Sequence, residues 1–149
     1  MTMMTYAQPD PVSQSDFYAD VPLKRFLAWM VDGVMILIIS LIALPFTAFL
    51  GLLFFPILWL VMGFFYRWVT ISNRSATLGM RLMAIEFRDV RGQRFDGGLA
   101  FLHTAIYSFA MGTFFLQVLS VALILITPRR QSLADMLLGS VVINRAATY

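Results

Sequence analysis

Residues 26–66 of the chain read FLAWMVDGVMILIISLIALPFTAFLGLLFFPILWLVMGFFY, and only one of these 41 residues is charged. A single helix of this length would measure about 61 Å, at ~1.5 Å per residue, which is twice the thickness of a bilayer core of about 30 Å. The stretch must therefore fold back on itself. Pro45 and Gly51 interrupt its middle, and these residue types favour a helix end and a turn. We predict two membrane-spanning helices, at about 23–44 and 50–68.

The composition of the whole chain agrees with a membrane protein. Of its 149 residues, 60% are hydrophobic and 13% are charged, whereas a soluble domain carries about 25% charged residues. The long uncharged runs exclude a soluble enzyme and a disordered chain, and the absence of cysteine excludes a disulfide scaffold. The sequence therefore predicts an all-α integral membrane protein.

A third apolar segment, residues 99–126, contains no charge, and two interpretations of it remain open. Its length suits one long tilted helix. A third crossing, however, would carry Arg129 and Arg130 to the outer side, against the rule that positive charge stays inside. The alternative is a helical hairpin broken near Gly112 and Thr113, whose short arms would need to be buried by neighbouring protein. The charge pattern favours the hairpin.

Positive charge also predicts the topology. The net charge is +3, and all eleven Lys and Arg residues flank or separate the apolar runs. This is the pattern of cytoplasmic loops beside anionic lipid. We expect a cytoplasmic N-terminus, a cytoplasmic loop at 69–98 held on anionic inner-leaflet lipid, and an aromatic anchor at the cytoplasmic headgroups formed by Tyr66 and Trp68 on either side of Arg67. No basic stripe with interleaved aromatic residues indicates nucleic-acid binding.

Three shorter segments complete the predicted domain organisation. Residues 1–20 are polar and predict a disordered tail, which leaves residues 21–145 as the membrane domain. Residues 82–90 partly alternate between polar and apolar and precede a plausible turn, so they predict a small cytoplasmic β-hairpin within the loop. Residues 132–139 predict a short amphipathic helix that begins with a capping box and ends at glycine. A strand-like run of β-branched residues follows.

Few residues in the chain could carry chemistry. Asp32 lies inside a predicted span, where a charge is expensive and indicates a function or a buried partner. Arg25 lies two helical turns earlier on the same stripe. Asp135 occupies the third position after Ser132, which by itself favours a helix cap. The single histidine, His103, is typical of a hydrogen-bonded packing residue. No catalytic, phosphate-binding or metal-ligand motif is present, so we expect no enzyme, no cofactor and no metal site.

Three segments together resemble a known family. They are Arg25-x-x-Ala28-x-x-x-Asp32 in the first span, residues 77–82 (TLGMRL) in the loop, and residues 130–140 (RQSLADMLLGS) near the end. Their order and membrane context resemble the RDD family, small multi-pass bacterial membrane proteins named for one arginine and two aspartates. The resemblance covers about residues 21–144. It departs at Ala134, where the family commonly has histidine, and at Ser140, where it commonly has threonine.

The resemblance implies that Arg25, Asp32 and Asp135 are the signature residues and that the protein lies in the bacterial inner membrane. The family's role is largely undefined, although some members are assigned cation/proton antiport. One hypothesis is that the three residues converge at the cytoplasmic face, with Arg25 between both carboxylates, and bind a monovalent cation or proton. The other is a non-catalytic structural or assembly subunit of a larger membrane complex. Under either hypothesis the protein would act as a homo-oligomer or within a larger membrane complex.

Overall fold

The computed structural model describes residues 8–145, and two long helices dominate it. Helix α1 spans Val21–Ala43 and helix α2 spans Phe55–Arg74, each with proline in its first turn. Both lie in helical stretches that are long and apolar enough to cross a membrane. The second helix begins five residues later than predicted and ends six residues later, because Pro56 rather than Gly51 starts it. Residues 44–54 connect the two helices through 3₁₀ turns at Leu44–Thr47 and Leu50–Leu52.

The long helices leave large apolar side chains uncovered. Leu41 and Ile42 on α1 and Phe65 and Val69 on α2 are each more than half exposed. A soluble monomer rarely exposes contiguous apolar patches of this kind. These surfaces therefore match the hydrocarbon environment that the sequence predicts for both helices.

The third apolar segment forms two helices rather than one. Helix α4 spans Gly97–Gly112 and helix α5 spans Phe114–Ile126, and their axes bend by 117° at Thr113. The break occurs where the hairpin interpretation predicted it, and one continuous helix is excluded. Because the bend exceeds a right angle, α5 runs partly back along α4. Helix α4 packs mainly on α2.

A two-stranded antiparallel sheet replaces the predicted hairpin. Strand β1 (Ile85–Arg88) pairs with strand β2 (Val141–Asn144), with Phe87 opposite Val142. The predicted strand therefore forms, but the predicted partner from the same loop is wrong. The β-branched residues of β2 supply a second strand whose four residues are all buried, whereas the chain after residue 93 leads directly into α4.

Residues 8–20 have a defined structure, and residues 16–19 contact this sheet, so the prediction of disorder is wrong for them. The Tyr18 side chain is buried with Val141 and Ile143. The side-chain amide of Asn144 donates hydrogen bonds to the carbonyls of Asp16 and Ala19, at 2.9 and 2.7 Å. These contacts are long-range in sequence, which explains why local composition missed them. Residues 1–7 of the predicted tail lie outside the described residues.

Two short helices link these parts. Helix α3 spans Leu78–Leu82 and helix α6 spans Leu133–Leu138, where the sequence predicted a helix at 132–139. The predicted cytoplasmic loop at 69–98 thus contains the last turn of α2, then α3 and β1. The apolar core lies where α1, α2 and α3 meet the sheet and the start of α4, and Phe87 is its largest fully buried side chain.

Candidate functional site

The first of two buried carboxylates, Asp135, forms an ion pair with Arg25. The Nη1 atom of Arg25 lies 2.7 Å from Oδ2 of Asp135, and the carboxylate side chain is fully buried. Arg25 stands in the second turn of α1, whereas Asp135 stands in the first turn of α6. The pair therefore fastens the last helix of the fold to the first.

Three further donors surround the Asp135 carboxylate. The backbone N–H of Ser132 donates to Oδ2 at 3.0 Å, Ser140 Oγ donates to Oδ1 at 2.9 Å, and His103 Nε2 lies 2.8 Å from Oδ1. With Arg25 this makes four contacts, as many as the lone-pair sites of a carboxylate. The capping box predicted from Ser132 and Asp135 is confirmed. Gly139 then ends α6 in the left-handed conformation, with φ of +69°.

These contacts fix the charge of Asp135. Burial by itself raises the pKa of the carboxyl, but the Arg25 guanidinium and the His103 hydrogen bond outweigh it and hold the pKa well below its usual range. A carboxylate with an adjacent opposite charge and several hydrogen-bond donors favours its ionised form. Asp135 is therefore a fixed negative charge at neutral pH.

His103 reaches Asp135 from α4 and is 1% exposed. Its ring packs against Phe87 and Phe95, at centroid distances of 4.5 and 5.7 Å. Its other nitrogen, Nδ1, is buried with no hydrogen-bond partner among the described residues. The neutral Nε2–H form fits this environment, since a proton on Nδ1 would be a buried donor without an acceptor. The prediction of a hydrogen-bonded packing residue is confirmed.

The second buried carboxylate, Asp32, has different partners. Tyr66 Oη donates to Oδ1 at 2.7 Å, Thr77 Oγ1 donates to Oδ2 at 2.6 Å, and the backbone N–H of Gly79 donates to Oδ1 at 2.9 Å. Among residues 8–145, no Lys or Arg nitrogen lies within 4.0 Å of this carboxylate. The predicted bridge of Arg25 between both aspartates is therefore wrong.

Helix α3 explains why Asp32 does not need an arginine. Thr77 is the N-cap of α3, and its hydroxyl accepts from the Met80 N–H while donating to Asp32. The unpaired N–H groups at a helix start favour a negative charge. Asp32 thus caps a neighbouring helix, which agrees with the buried partner that the sequence left open as one interpretation of it.

Gly79 makes this close approach possible. A Cβ atom at this position would lie 2.2 Å from the carbonyl oxygen of Ala28 and 2.9 Å from Oδ1 of Asp32. Only a residue without a side chain lets the backbone of α3 lie against α1 here. The sequence segment that contains Thr77 and Gly79 was recognised as a motif, but its contact with Asp32 was not predicted. Tyr66 carried no sequence signal for this role.

Arg67 is turned inward, and Tyr66 beside it is buried and bonded to Asp32, so the predicted aromatic anchor is wrong for Tyr66. Arg67 is 8% exposed, and its guanidinium carbon lies 3.8 Å from the centre of the Tyr107 ring. Arg67 and Asp32 line two adjoining cavities of about 770 and 380 Å³. Sequence reasoning missed Arg67 because its aromatic neighbours in sequence, Tyr66 and Trp68, resemble those of an interfacial anchor.

Among residues 8–145, no group of three or more His, Cys, Asp or Glu side chains is arranged to hold a metal ion. The two carboxylates and their donors come from the three segments that the sequence analysis singled out, together with Tyr66 and His103.

Comparison with known proteins agrees with these segments. No curated protein and no solved structure matches the chain. The model of the RDD family matches residues 20–139, a range that includes Arg25, Asp32 and Asp135. The chain belongs to the RDD family.

Proposed function

We propose that this protein is a non-catalytic structural or assembly component of a membrane complex, in which Arg25, Asp32 and Asp135 hold the helices together. The observation that carries the proposal is the number of protein donors on each carboxylate. Asp135 has four contacts and Asp32 has three. The signature residues thereby connect α1 to α2, α3, α4 and α6.

A bound cation would have to displace these donors. Monovalent and divalent hard cations are held by oxygen lone pairs, and Asp135 has none left over. At Asp32 the backbone N–H of Gly79 is fixed by helix α3 and cannot turn away without moving that helix. The arrangement therefore favours a structural role over reversible cation exchange at these two residues.

Proton-coupled cation transport is the second candidate, and one observation favours it. His103 lies 2.8 Å from Asp135 and is buried, and an imidazole can take up and release a proton. A proton moving on and off this pair would change the charge beside Arg25.

Ion flux separates the two candidates. The purified protein would be reconstituted into liposomes with a pH-sensitive dye inside, and a sodium or potassium gradient would be applied. We expect no flux above that of protein-free liposomes. A flux that is lost in Asp32→Asn or His103→Gln, at equal protein amount in the membrane, would establish transport instead.

The size of the protein in mild detergent is the second measurement, because the absence of flux alone does not identify an assembly role. We expect the protein extracted in mild detergent to run as a discrete species larger than the 16.9 kDa chain plus its micelle, either as a homo-oligomer or with a stable partner. A monodisperse monomer under the same conditions would contradict the proposal.

We also infer that the N-terminus faces the cytoplasm of a bacterial inner membrane. The basic residues support this orientation, as does the uncharged connection at residues 44–54. Because the chain has no cysteine, single cysteines can report on topology. A cysteine at residue 47 or 48 should label with an impermeant reagent from outside, and one at residue 93 should be protected. The opposite pattern would reverse the orientation.

A further inference from the structure

The larger cavity lies between α1 and α5 and has a volume of about 770 Å³. Its lining runs from Pro22, in the first turn of α1, to Asp32, so it extends along about three turns of that helix, or ~15 Å. Most of its wall is apolar, formed by side chains that include Phe26, Trp29, Met111, Val121, Ile124 and Leu125. Two guanidinium groups, those of Arg25 and Arg67, also border it.

The two arginines differ in what balances their charge. Arg25 is paired with Asp135 at 2.7 Å. Arg67 has no carboxylate oxygen within 4.0 Å among residues 8–145, although more than nine-tenths of the residue is buried. Its Nε atom is buried with no hydrogen-bond partner among the same residues. An unpaired buried charge is strongly unfavourable. The Asp32 carboxylate borders the same cavity but lies more than 4.0 Å from the guanidinium, so the donors of Arg67 have room for an anionic partner in direct contact.

The contact of Arg67 with the Tyr107 ring does not prevent an anion from binding to the guanidinium. The guanidinium lies over the ring face, and stacking of this kind leaves the N–H groups at the edge of the guanidinium able to donate. A guanidinium edge matches the oxygens of a phosphate group, which it can bind through two parallel hydrogen bonds.

We propose that this cavity binds an anionic phospholipid, with its phosphate on Arg67 and an acyl chain along the apolar wall. A free inorganic phosphate would leave most of the apolar volume unfilled. A zwitterionic lipid would bring, beside its phosphate, a cationic ammonium group near Arg25 and Arg67, which like charge disfavours. The carboxylate in the lining, Asp32, already accepts from Tyr66, Thr77 and Gly79. The inference goes beyond the proposed function and does not depend on whether the protein transports ions.

Lipid retention by the purified protein tests the proposal. Native mass spectrometry would compare phosphatidylglycerol, phosphatidylcholine and diacylglycerol, each added at equal concentration to delipidated protein in detergent. We expect the phosphatidylglycerol adduct to predominate and diacylglycerol to bind least. In Arg67→Gln the preference for phosphatidylglycerol should fall by at least about tenfold, because one charge-assisted hydrogen bond alone supplies that factor. Arg67→Lys, which keeps the charge, should restore part of it.

Arg74 provides the matched control, since it lies on the same helix and is exposed. Arg74→Gln should keep the preference of the unaltered protein. Equal binding of the three lipids by the unaltered protein would overturn the proposal. So would a preference that Arg67→Gln retains, or one that Arg74→Gln loses equally.

A second measurement applies if Arg67→Gln does not fold. Trp29 lines the cavity, so its fluorescence reports on a lipid bound there. Brominated phosphatidylglycerol should quench the unaltered protein more than brominated phosphatidylcholine at the same mole fraction. This difference should disappear in Trp29→Phe. Equal quenching by both lipids would contradict the proposal.

Discussion

The two buried aspartates occupy the same kind of place in the fold but are stabilised in different ways. Asp135 is neutralised by a guanidinium and also accepts from an imidazole. Within residues 8–145, Asp32 accepts from groups without formal charge, namely a phenol, a hydroxyl and a backbone N–H. The difference indicates that Arg25, Asp32 and Asp135 form two separate arrangements, an ion pair between Arg25 and Asp135 and a helix cap at Asp32. Substitutions at each aspartate test whether the two arrangements contribute separately.

The largest effect is expected for Asp135→Asn. An amide would leave Arg25, whose side chain is 16% exposed, without its counter-charge. Removing one partner of a buried pair typically destabilises a protein by about 3–5 kcal/mol. The free energy of unfolding in detergent would measure the loss. Asp16→Asn is the control, because Asp16 is exposed and should tolerate the change. A loss as small as that of the control would mean that the ion pair contributes nothing.

Gly79→Ala should have the next largest effect, because the added methyl group would overlap the Ala28 carbonyl. Forcing atoms into a packed site costs about 3 kcal/mol at the upper end of the usual range, and here the backbone of α3 must move away from Asp32. Gly33→Ala is the matched control, since no atom lies within 4 Å of the added methyl group. Equal unfolding free energies for the two variants would contradict the close approach.

A smaller effect is expected for Asp32→Asn. The amide keeps one carbonyl oxygen for the Tyr66 and Gly79 donors, while Thr77 can turn its hydroxyl to accept instead of donate. The expected loss is about 1 kcal/mol, the size of one ordinary hydrogen bond. The ratio of this loss to the loss in Asp135→Asn measures how much more the ion pair contributes to stability than the helix cap does. If Asp32→Asn destabilised the protein more than Asp135→Asn, the assignment of the ion pair as the stronger arrangement would be wrong.

The smallest effect concerns pH. The pKa of Asp135 is lowered in the folded protein from an ordinary value of 3.8. A carboxyl with a lowered folded pKa stabilises the fold at any pH above the unfolded value and loses that contribution as the pH falls toward the folded value. The stability difference between the unaltered protein and Asp135→Asn should therefore stay constant from pH 8 to pH 5. A difference that changes between pH 7 and pH 5 would mean that this site titrates there.

Sequence reasoning reached the parts of the fold that depend on local pattern. The uncharged run of residues 26–66 required two helices, Ser132 and Asp135 predicted a capping box, and Gly112 marked the break in the third apolar segment. All three follow from neighbouring residues. The position of Asp32 inside a predicted membrane span also indicated that its carboxylate needs a partner.

The hydrogen-bond partners of the two aspartates could not be predicted from sequence. They are distant along the chain and are brought together only by the packing of the helices. Nothing local to Asp32 indicates that Tyr66 and Thr77 will donate to it, and Arg25 two turns away looked like the better partner. The pairing of β1 with β2 was missed for the same reason, since a nearby turn suggested a hairpin. Tyr66 and Trp68 predicted an aromatic anchor, and nothing local to them indicates that the Arg67 side chain between them turns toward Tyr107.

The separation along the chain between each aspartate and its partners also sets the order in which the protein can assemble during synthesis. Asp32 meets its most distant donor, Gly79, 47 residues later, whereas Arg25 must wait 110 residues for Asp135. At about 5–20 residues per second, the second interval lasts on the order of 5–20 s. Once α3 has been synthesised, all three donors to Asp32 are present in the chain, whereas Arg25 remains without its carboxylate until α6 arrives. A nascent chain stalled after α3 should therefore contain the Asp32 contacts alone, and Arg25 would be open to the translocation machinery or to lipid until α6 arrives.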